Sequence, residues 1–160
     1  MKALPVLACA IATLACTAAG ATPTSTDPLF GRWALDTSRL PMPPDARPKQ
    51  VDITFAGAQG DRVSMAVDIV YAPGNEVHSV GAASLDGTPI PVKGSPEADI
   101  AAMSRPRPDV LVVVLGKNGG PASTRVYTVA ADGKHLSESV TAYGGDGRPT
   151  LKTHYFTRLP

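Results

Sequence analysis

The chain has 160 residues, with 15 Lys and Arg against 14 Asp and Glu, and its formal charge at pH 7 is +1. Without an excess of basic residues to neutralise phosphates, sequence-independent nucleic-acid binding is disfavoured. About 130 of the residues read as folded, which suffices for one domain with a core and not for two.

The N-terminal segment is predicted to be a signal peptide over residues 1–21. A lysine at position 2 precedes an uncharged apolar run over residues 3–15, which is too short to span a bilayer. Both cysteines, Cys9 and Cys16, lie in this segment. The folded part is therefore expected to contain no disulfide, although an extracytoplasmic compartment would permit one.

Two processing sites remain open within this segment. Ala19-Gly20-Ala21 fits the Ala-x-Ala pattern and would leave Thr22 as the first residue, giving a soluble periplasmic or secreted protein. Alternatively, Thr13-Leu14-Ala15-Cys16 resembles a bacterial lipobox, in which case Cys16 would be lipidated and the chain would be a membrane-anchored lipoprotein. Soluble secretion is the preferred of the two.

The rest of the chain is predicted to be a linker over residues 22–29 and a single domain of strands over residues 30–160. Turn-forming Gly, Pro and Asp residues separate segments with the alternating apolar pattern of half-buried strands. A proline-rich stretch over residues 40–49 is predicted to be a long loop, in the position where many barrels carry a lid. The predicted strands are residues 31–36, 51–55, 63–71, 76–85, 90–93, 99–105, 110–115, 124–130, 135–143 and 150–158.

These segments predict an all-β fold, an antiparallel up-and-down meander closed into a barrel of about 8–10 strands. After residue 50 no connection is long enough for a βαβ crossover, so consecutive strands should pair antiparallel. Closing the meander on itself removes its exposed edges. A two-sheet sandwich is the alternative. Residues 110–115 are six apolar residues in a row, which predicts a strand that is covered on both faces, or one that offers an edge or partner surface.

A family resemblance supports the barrel. Gly31-x-Trp33 on the first predicted strand resembles the first motif of lipocalins and other calycin-type barrels. The segments 91–99 (Pro-Val-x-Gly-Ser-Pro-x-x-Asp) and 131–136 (Ala-Asp-Gly-Lys-x-Leu) are similar to a broad group of small secreted bacterial lipocalin-like proteins, mostly uncharacterised. The resemblance implies that Arg158 on the last strand stacks across Trp33 and closes the barrel floor. Gly31 would let another side chain approach the backbone closely.

No catalytic, metal or cofactor site is predicted. Ser95 lies in a turn and not in a Gly-x-Ser-x-Gly elbow. The three histidines, His78, His135 and His154, do not have the spacing of metal ligands, although a His78–His154 pair inside the barrel would strengthen the case for a metal.

The expected function is binding of a small apolar or amphipathic ligand inside the barrel, without catalysis, by a monomer or weak homodimer. Small residues at 79, 81 and 83 would leave space in the interior. The candidate pocket residues are Met65, Val67, Ile69, Tyr71, Arg105, Arg125, Tyr127 and Tyr155.

Two other functions are alternatives. An envelope structural or interaction module would use residues 110–115 as an exposed apolar strand. A small hydrolase or isomerase, ranked lower, would need a histidine and a carboxylate or serine within hydrogen-bond reach inside the cavity.

Overall fold

The computed structural model describes residues 27–160, which form one sheet of ten antiparallel strands. The predicted signal peptide, both of its processing sites and Cys16 lie outside the described residues. The strands are β1 Gly31–Leu35, β2 Gln50–Gly57, β3 Arg62–Ala72, β4 Asn75–Ser84, β5 Ile90–Pro91, β6 Ile100–Arg107, β7 Val110–Lys117, β8 Gly120–Val129, β9 His135–Tyr143 and β10 Pro149–Arg158.

The strands are connected as a meander that nearly closes into a barrel, as the sequence predicts. Their order in the sheet is β4-β3-β2-β1-β10-β9-β8-β7-β6-β5, so the first strand pairs with the last. Consecutive strands are neighbours throughout, except β4 and β5. There the described residues form two isolated bridges, Val80 to Lys93 and Asp86 to Ser104. The alternative of a two-sheet sandwich is excluded.

The core follows from the alternation of side chains along the strands. Several inward-facing residues of β1, β2 and β7, among them Trp33, Phe55 and Leu111, are fully buried. Phe55 packs edge-to-face on Tyr127 of β8, with ring centroids 5.3 Å apart. Leu29, in the segment predicted to be a linker, is also fully buried and belongs to this core. The described end of that segment therefore packs on the barrel.

One end of the barrel is held together by Arg158. Its guanidinium lies 4.0 Å from the ring centroid of Trp33, which is its partner in the β1–β10 register. It donates hydrogen bonds to the carbonyl oxygens of Phe30 (2.6 Å), Gly133 (2.7 Å) and Pro28. The structure thus brings together the two residues that the lipocalin resemblance pairs, and it joins the first strand to the last.

Gly31 and Leu29 complete the same barrel end. Gly31 has φ +131°, and a Cβ added there would lie 2.6 Å from Nη1 of Arg158. The backbone conformation and the close approach of the arginine both require glycine. The indole Nε1 of Trp33 donates a hydrogen bond of 2.9 Å to the carbonyl oxygen of Leu29.

β7 has one buried face and one partly open face. Leu111 and Val113 point into the core, with exposed fractions of 0% and 1%, whereas Val114 is 46% exposed. The apolar run is therefore not covered on both faces within the described chain. Its outward side lies next to Ile100 of β6, which is 43% exposed.

The loop between β1 and β2 contains two short 3-10 helices, Thr37–Arg39 and Pro44–Ala46. Proline suits the first turn of the second helix because its missing N–H has no partner to lose there. Arg39 lies over the ring of Tyr155 on the outside of β10, 3.6 Å from its centroid. Within residues 27–160, no helix has the length and apolar character to cross a membrane.

Candidate functional site

The barrel encloses a cavity of about 230 Å³. One wall is the inward face of β3, where Met65, Val67, Ile69 and Tyr71 line the cavity in alternation, with Tyr71 at the rim and 41% exposed. Further aliphatic residues line it from β1, β2, β4, β6 and β7. Ser79 and Gly81 of β4 are small and line the same space. The four β3 residues singled out in the sequence thus share one apolar surface.

The other four predicted pocket residues, all of them polar, are placed differently from one another. Arg125 of β8 lines the cavity. Tyr127 is fully buried and is not part of the cavity lining. Arg105 does not line the cavity, because its guanidinium is paired with Asp27 at 2.6 Å. Tyr155 points to the outer face of β10, where it lies in a more open depression under Arg39.

A polar cluster centred on Glu138 of β9 forms one part of the cavity wall. Glu138 is 2% exposed, and its Oε1 accepts hydrogen bonds from Nη1 of Arg125 (3.0 Å) and from the hydroxyl of Tyr127 (2.6 Å). Its Oε2 lies 2.7 Å from Nδ1 of His154 on β10. Both carboxylate oxygens are therefore satisfied, as a buried carboxylate requires.

Strand register explains why these side chains meet. In the pairing of β8 with β9, Tyr127 is directly opposite Glu138, and in the pairing of β9 with β10, Glu138 is directly opposite His154. Arg125 precedes Tyr127 by two residues and so lies on the same face. The β8–β9 connection contains Asp132-Gly133, the strongest hairpin signal in the chain. The residue pairs of β8 and β9 follow one another outward from that turn, and Glu138 is the residue opposite Tyr127.

The cluster stabilises the ionised form of Glu138 and the neutral form of Tyr127. Burial opposes ionisation of Glu138, but the hydrogen bond to His154, the charge of Arg125 and the hydroxyl of Tyr127 outweigh it and lower the pKa of this carboxyl. Burial and the adjacent Glu138 charge raise the pKa of Tyr127 well above its ordinary value. Glu138 is therefore ionised and Tyr127 is neutral near pH 7.

A second carboxylate reaches Arg125 from the cavity mouth. Nη2 of Arg125 donates a hydrogen bond to Glu97, on the connection between β5 and β6. The Glu97 side chain is 62% exposed, whereas that of Arg125 is 20% exposed. Ser95, Pro96 and Ala98 of the same connection also line the cavity. This segment lies near the gap between β4 and β5, and the ion pair ties it to β8.

The histidines do not converge. His78 pairs with Asp68 at 2.6 Å and His135 pairs with Asp132 at 2.6 Å, both at exposed positions. Only His154 lines the cavity. Among residues 27–160, no group of three or more His, Cys, Asp and Glu residues is arranged to hold a metal ion.

Chemically, the His154–Glu138 pair orients an imidazole inside the cavity, as carboxylates orient histidines that act as bases. Ser79 and Ser95 line the same cavity. Neither is hydrogen-bonded to His154 within the described structure, so the histidine faces no positioned nucleophile there.

Comparison with known proteins supports the fold. No family model matches the chain, and no curated protein sequence matches it. Among solved structures, the chain is similar to the Schistosoma mansoni fatty acid binding protein in complex with arachidonic acid. The match has a TM-score of 0.58 and 14% identity, and it covers 86% of this chain and 100% of the other. At this identity the likeness shows a common β-barrel fold.

Proposed function

We propose that this protein binds a small apolar or amphipathic molecule inside its barrel and catalyses no reaction. The observation that carries the proposal is the cavity of about 230 Å³, with aliphatic walls and a single buried polar cluster at Glu138. Ligand sites in proteins combine a mostly apolar lining with a few placed polar groups in this way. The barrel shared with a fatty acid binding protein is consistent with such a role.

The size of the cavity limits the ligand. Pockets for drug-sized molecules begin at roughly 300 Å³, so this cavity suits a medium-length alkyl chain or a molecule of similar bulk. Burial of the alkyl part would supply most of the affinity, at about 0.8 kcal/mol for each buried methylene group. The polar cluster would then fix the orientation of the bound molecule.

Matched substitutions on β3 test this proposal. Val67 lines the cavity, whereas Val70, also half-buried on the same strand, does not. We expect the Val67→Phe protein to bind the uncharged fluorescent dye N-phenyl-naphthylamine at least tenfold more weakly than the unchanged protein, because the ring fills the cavity. Val70→Phe should leave binding unchanged. Equal binding by both variants, or no binding of the dye or of octanol by the unchanged full-length chain, would refute the proposal.

The proposed location is outside the cytoplasm of a bacterium, either soluble or anchored through a lipid on Cys16. The basic start, the short apolar run and the two processing motifs support this location. Mass spectrometry of the protein purified from cell-envelope and soluble fractions would identify its first residue and any lipid on it. An unprocessed N-terminus in the cytoplasmic fraction would contradict the proposal.

A small hydrolase is a second candidate because His154 and Glu138 lie 2.7 Å apart inside the cavity. A hydrolase would need a histidine and a carboxylate within hydrogen-bond reach inside the cavity, and this pair meets that requirement. Nitrophenyl octanoate, which suits an apolar cavity, is a direct substrate to try. We expect its hydrolysis by the unchanged protein to equal that by His154→Gln. A faster reaction that is lost in the variant would favour the hydrolase.

A further inference from the structure

We infer that the polar end of the cavity selects an uncharged ligand with a hydroxyl head group over a carboxylate of the same chain length. The inference rests on the proposed function and names the ligand class of that same cavity. It is carried by the partners of Arg125 and by the hydrogen bond between Glu138 and His154.

The cationic group that lines the cavity is already neutralised. Arg125 donates from Nη1 to Glu138 at 3.0 Å and from Nη2 to Glu97, and its Nε lies 3.5 Å from the hydroxyl of Ser123. Two carboxylates thus face one guanidinium. A ligand carboxylate would be a third anion beside a single arginine, and it would lie close to the buried Glu138, where low polarity strengthens repulsion between like charges.

The imidazole of His154 offers the complementary group for a hydroxyl. An ionised carboxylate only accepts hydrogen bonds, so Nδ1 of His154 carries the proton that it shares with Oε2 of Glu138 at 2.7 Å. In the neutral ring Nε2 then carries a lone pair. Within residues 27–160, Nε2 has no hydrogen-bond partner, and the side chain lines the cavity.

Head groups differ in how they meet this acceptor. A hydroxyl can donate a hydrogen bond to the Nε2 lone pair and adds no charge. An ionised carboxylate has no proton to donate, and an ether oxygen has none either. Octanol, octanoate and octyl methyl ether each contain an eight-carbon chain, which in octanoate includes the carboxylate carbon. Comparing the three therefore separates the effects of hydrogen bonding, charge and apolar burial.

The test is competition of these three ligands with N-phenyl-naphthylamine bound to the full-length protein. All three competitions are run at the same pH, about 8. We expect octanol to bind about threefold to tenfold more tightly than the ether, the gain typical of one hydrogen bond, although the ether has one more methyl group. Octanoate should be the weakest of the three.

Two variants assign the preference to the named residues. His154→Leu removes the acceptor, so octanol should lose its advantage over the ether. Glu97→Gln removes one of the two carboxylates on Arg125, so the affinity for octanoate should rise while that for octanol stays constant. Glu76→Gln is the matched control, because Glu76 is an exposed carboxylate on β4 that does not line the cavity.

The outcomes distinguish this inference from the proposed function. If the three ligands bind but octanoate equals or exceeds octanol, the inference is wrong and the binding function stands. The same holds if octanol keeps its advantage over the ether in His154→Leu. If neither the dye nor any of the ligands binds, the proposed function fails and the inference fails with it.

Discussion

Replacing Gly31 with alanine is expected to destabilise the barrel by about 2–4 kcal/mol. A residue with a side chain at φ +131° is strained by about 1–3 kcal/mol. The new Cβ would also lie 2.6 Å from Nη1 of Arg158, so the guanidinium would have to move. Displacement would weaken its hydrogen bonds to Phe30 and Gly133 and its contact with Trp33, at a cost of about 1 kcal/mol.

A double-mutant cycle separates the two contributions. In an Arg158→Met background the clashing guanidinium is gone, and only the backbone strain of Gly31→Ala remains. The cost of Gly31→Ala should therefore be about 1 kcal/mol smaller there than in the unchanged protein, a coupling typical of residues in contact.

The assay is urea unfolding, followed by the fluorescence of Trp33 and by far-ultraviolet circular dichroism. Trp33 is the only tryptophan, and all four proteins of the cycle retain it. With a slope of about 1–3 kcal/mol per molar urea, the midpoint for Gly31→Ala should fall by about 1 M or more. An equal cost in both backgrounds would refute the argument that Arg158 requires glycine at position 31. A cost below about 0.5 kcal/mol would refute the strain as well.

Two further predictions concern buried groups. Trp33→Ala should lower the free energy of unfolding by about 3–5 kcal/mol, because Trp33 is fully buried and its loss removes the hydrogen bond to the Leu29 carbonyl. Thermal unfolding would measure the loss, and a value below about 1 kcal/mol would contradict the prediction. Because the pKa of Glu138 is lowered in the fold, its ionisation stabilises the protein above the unfolded pKa of about 4.3, and that stability is lost as the pH falls through the folded pKa. Tyr127→Phe removes one of the stabilising hydrogen bonds and should move acid unfolding to higher pH, whereas an unchanged acid midpoint would show that the bond contributes nothing.

The fold could be predicted because local signals agree with one another. Alternation on β3 and the turn at Asp132-Gly133 each determine strands directly. The ends of two strands were less predictable. Pro106 and Pro121 read as turn residues, yet they lie within β6 and β8. Both lie next to register shifts, where a bulge accommodates a residue that has no N–H to donate.

The apolar part of the candidate site also follows from alternation, but its polar part does not. The sequence does not mark Glu138 or His154 as a pocket residue, because a charged residue on a strand usually faces solvent. Only the register of two strand pairs brings them together. On β10 no apolar alternation marks the inner face around His154, so Tyr155 could be assigned to the wrong side. The partner of Arg105 is Asp27, in a segment that composition alone describes as a linker.

The contact between Arg158 and Phe30 joins residues that are 128 positions apart. During synthesis β1 leaves the ribosome first, yet its neighbour β10 is made last. Until then β1 can pair only with β2, and its other edge lacks hydrogen-bond partners. Closure of the barrel is therefore a late, long-range event, and topologies of this kind fold slowly. Holding the nascent chain until its last strand is complete would protect the open edge of β1 from pairing with other chains.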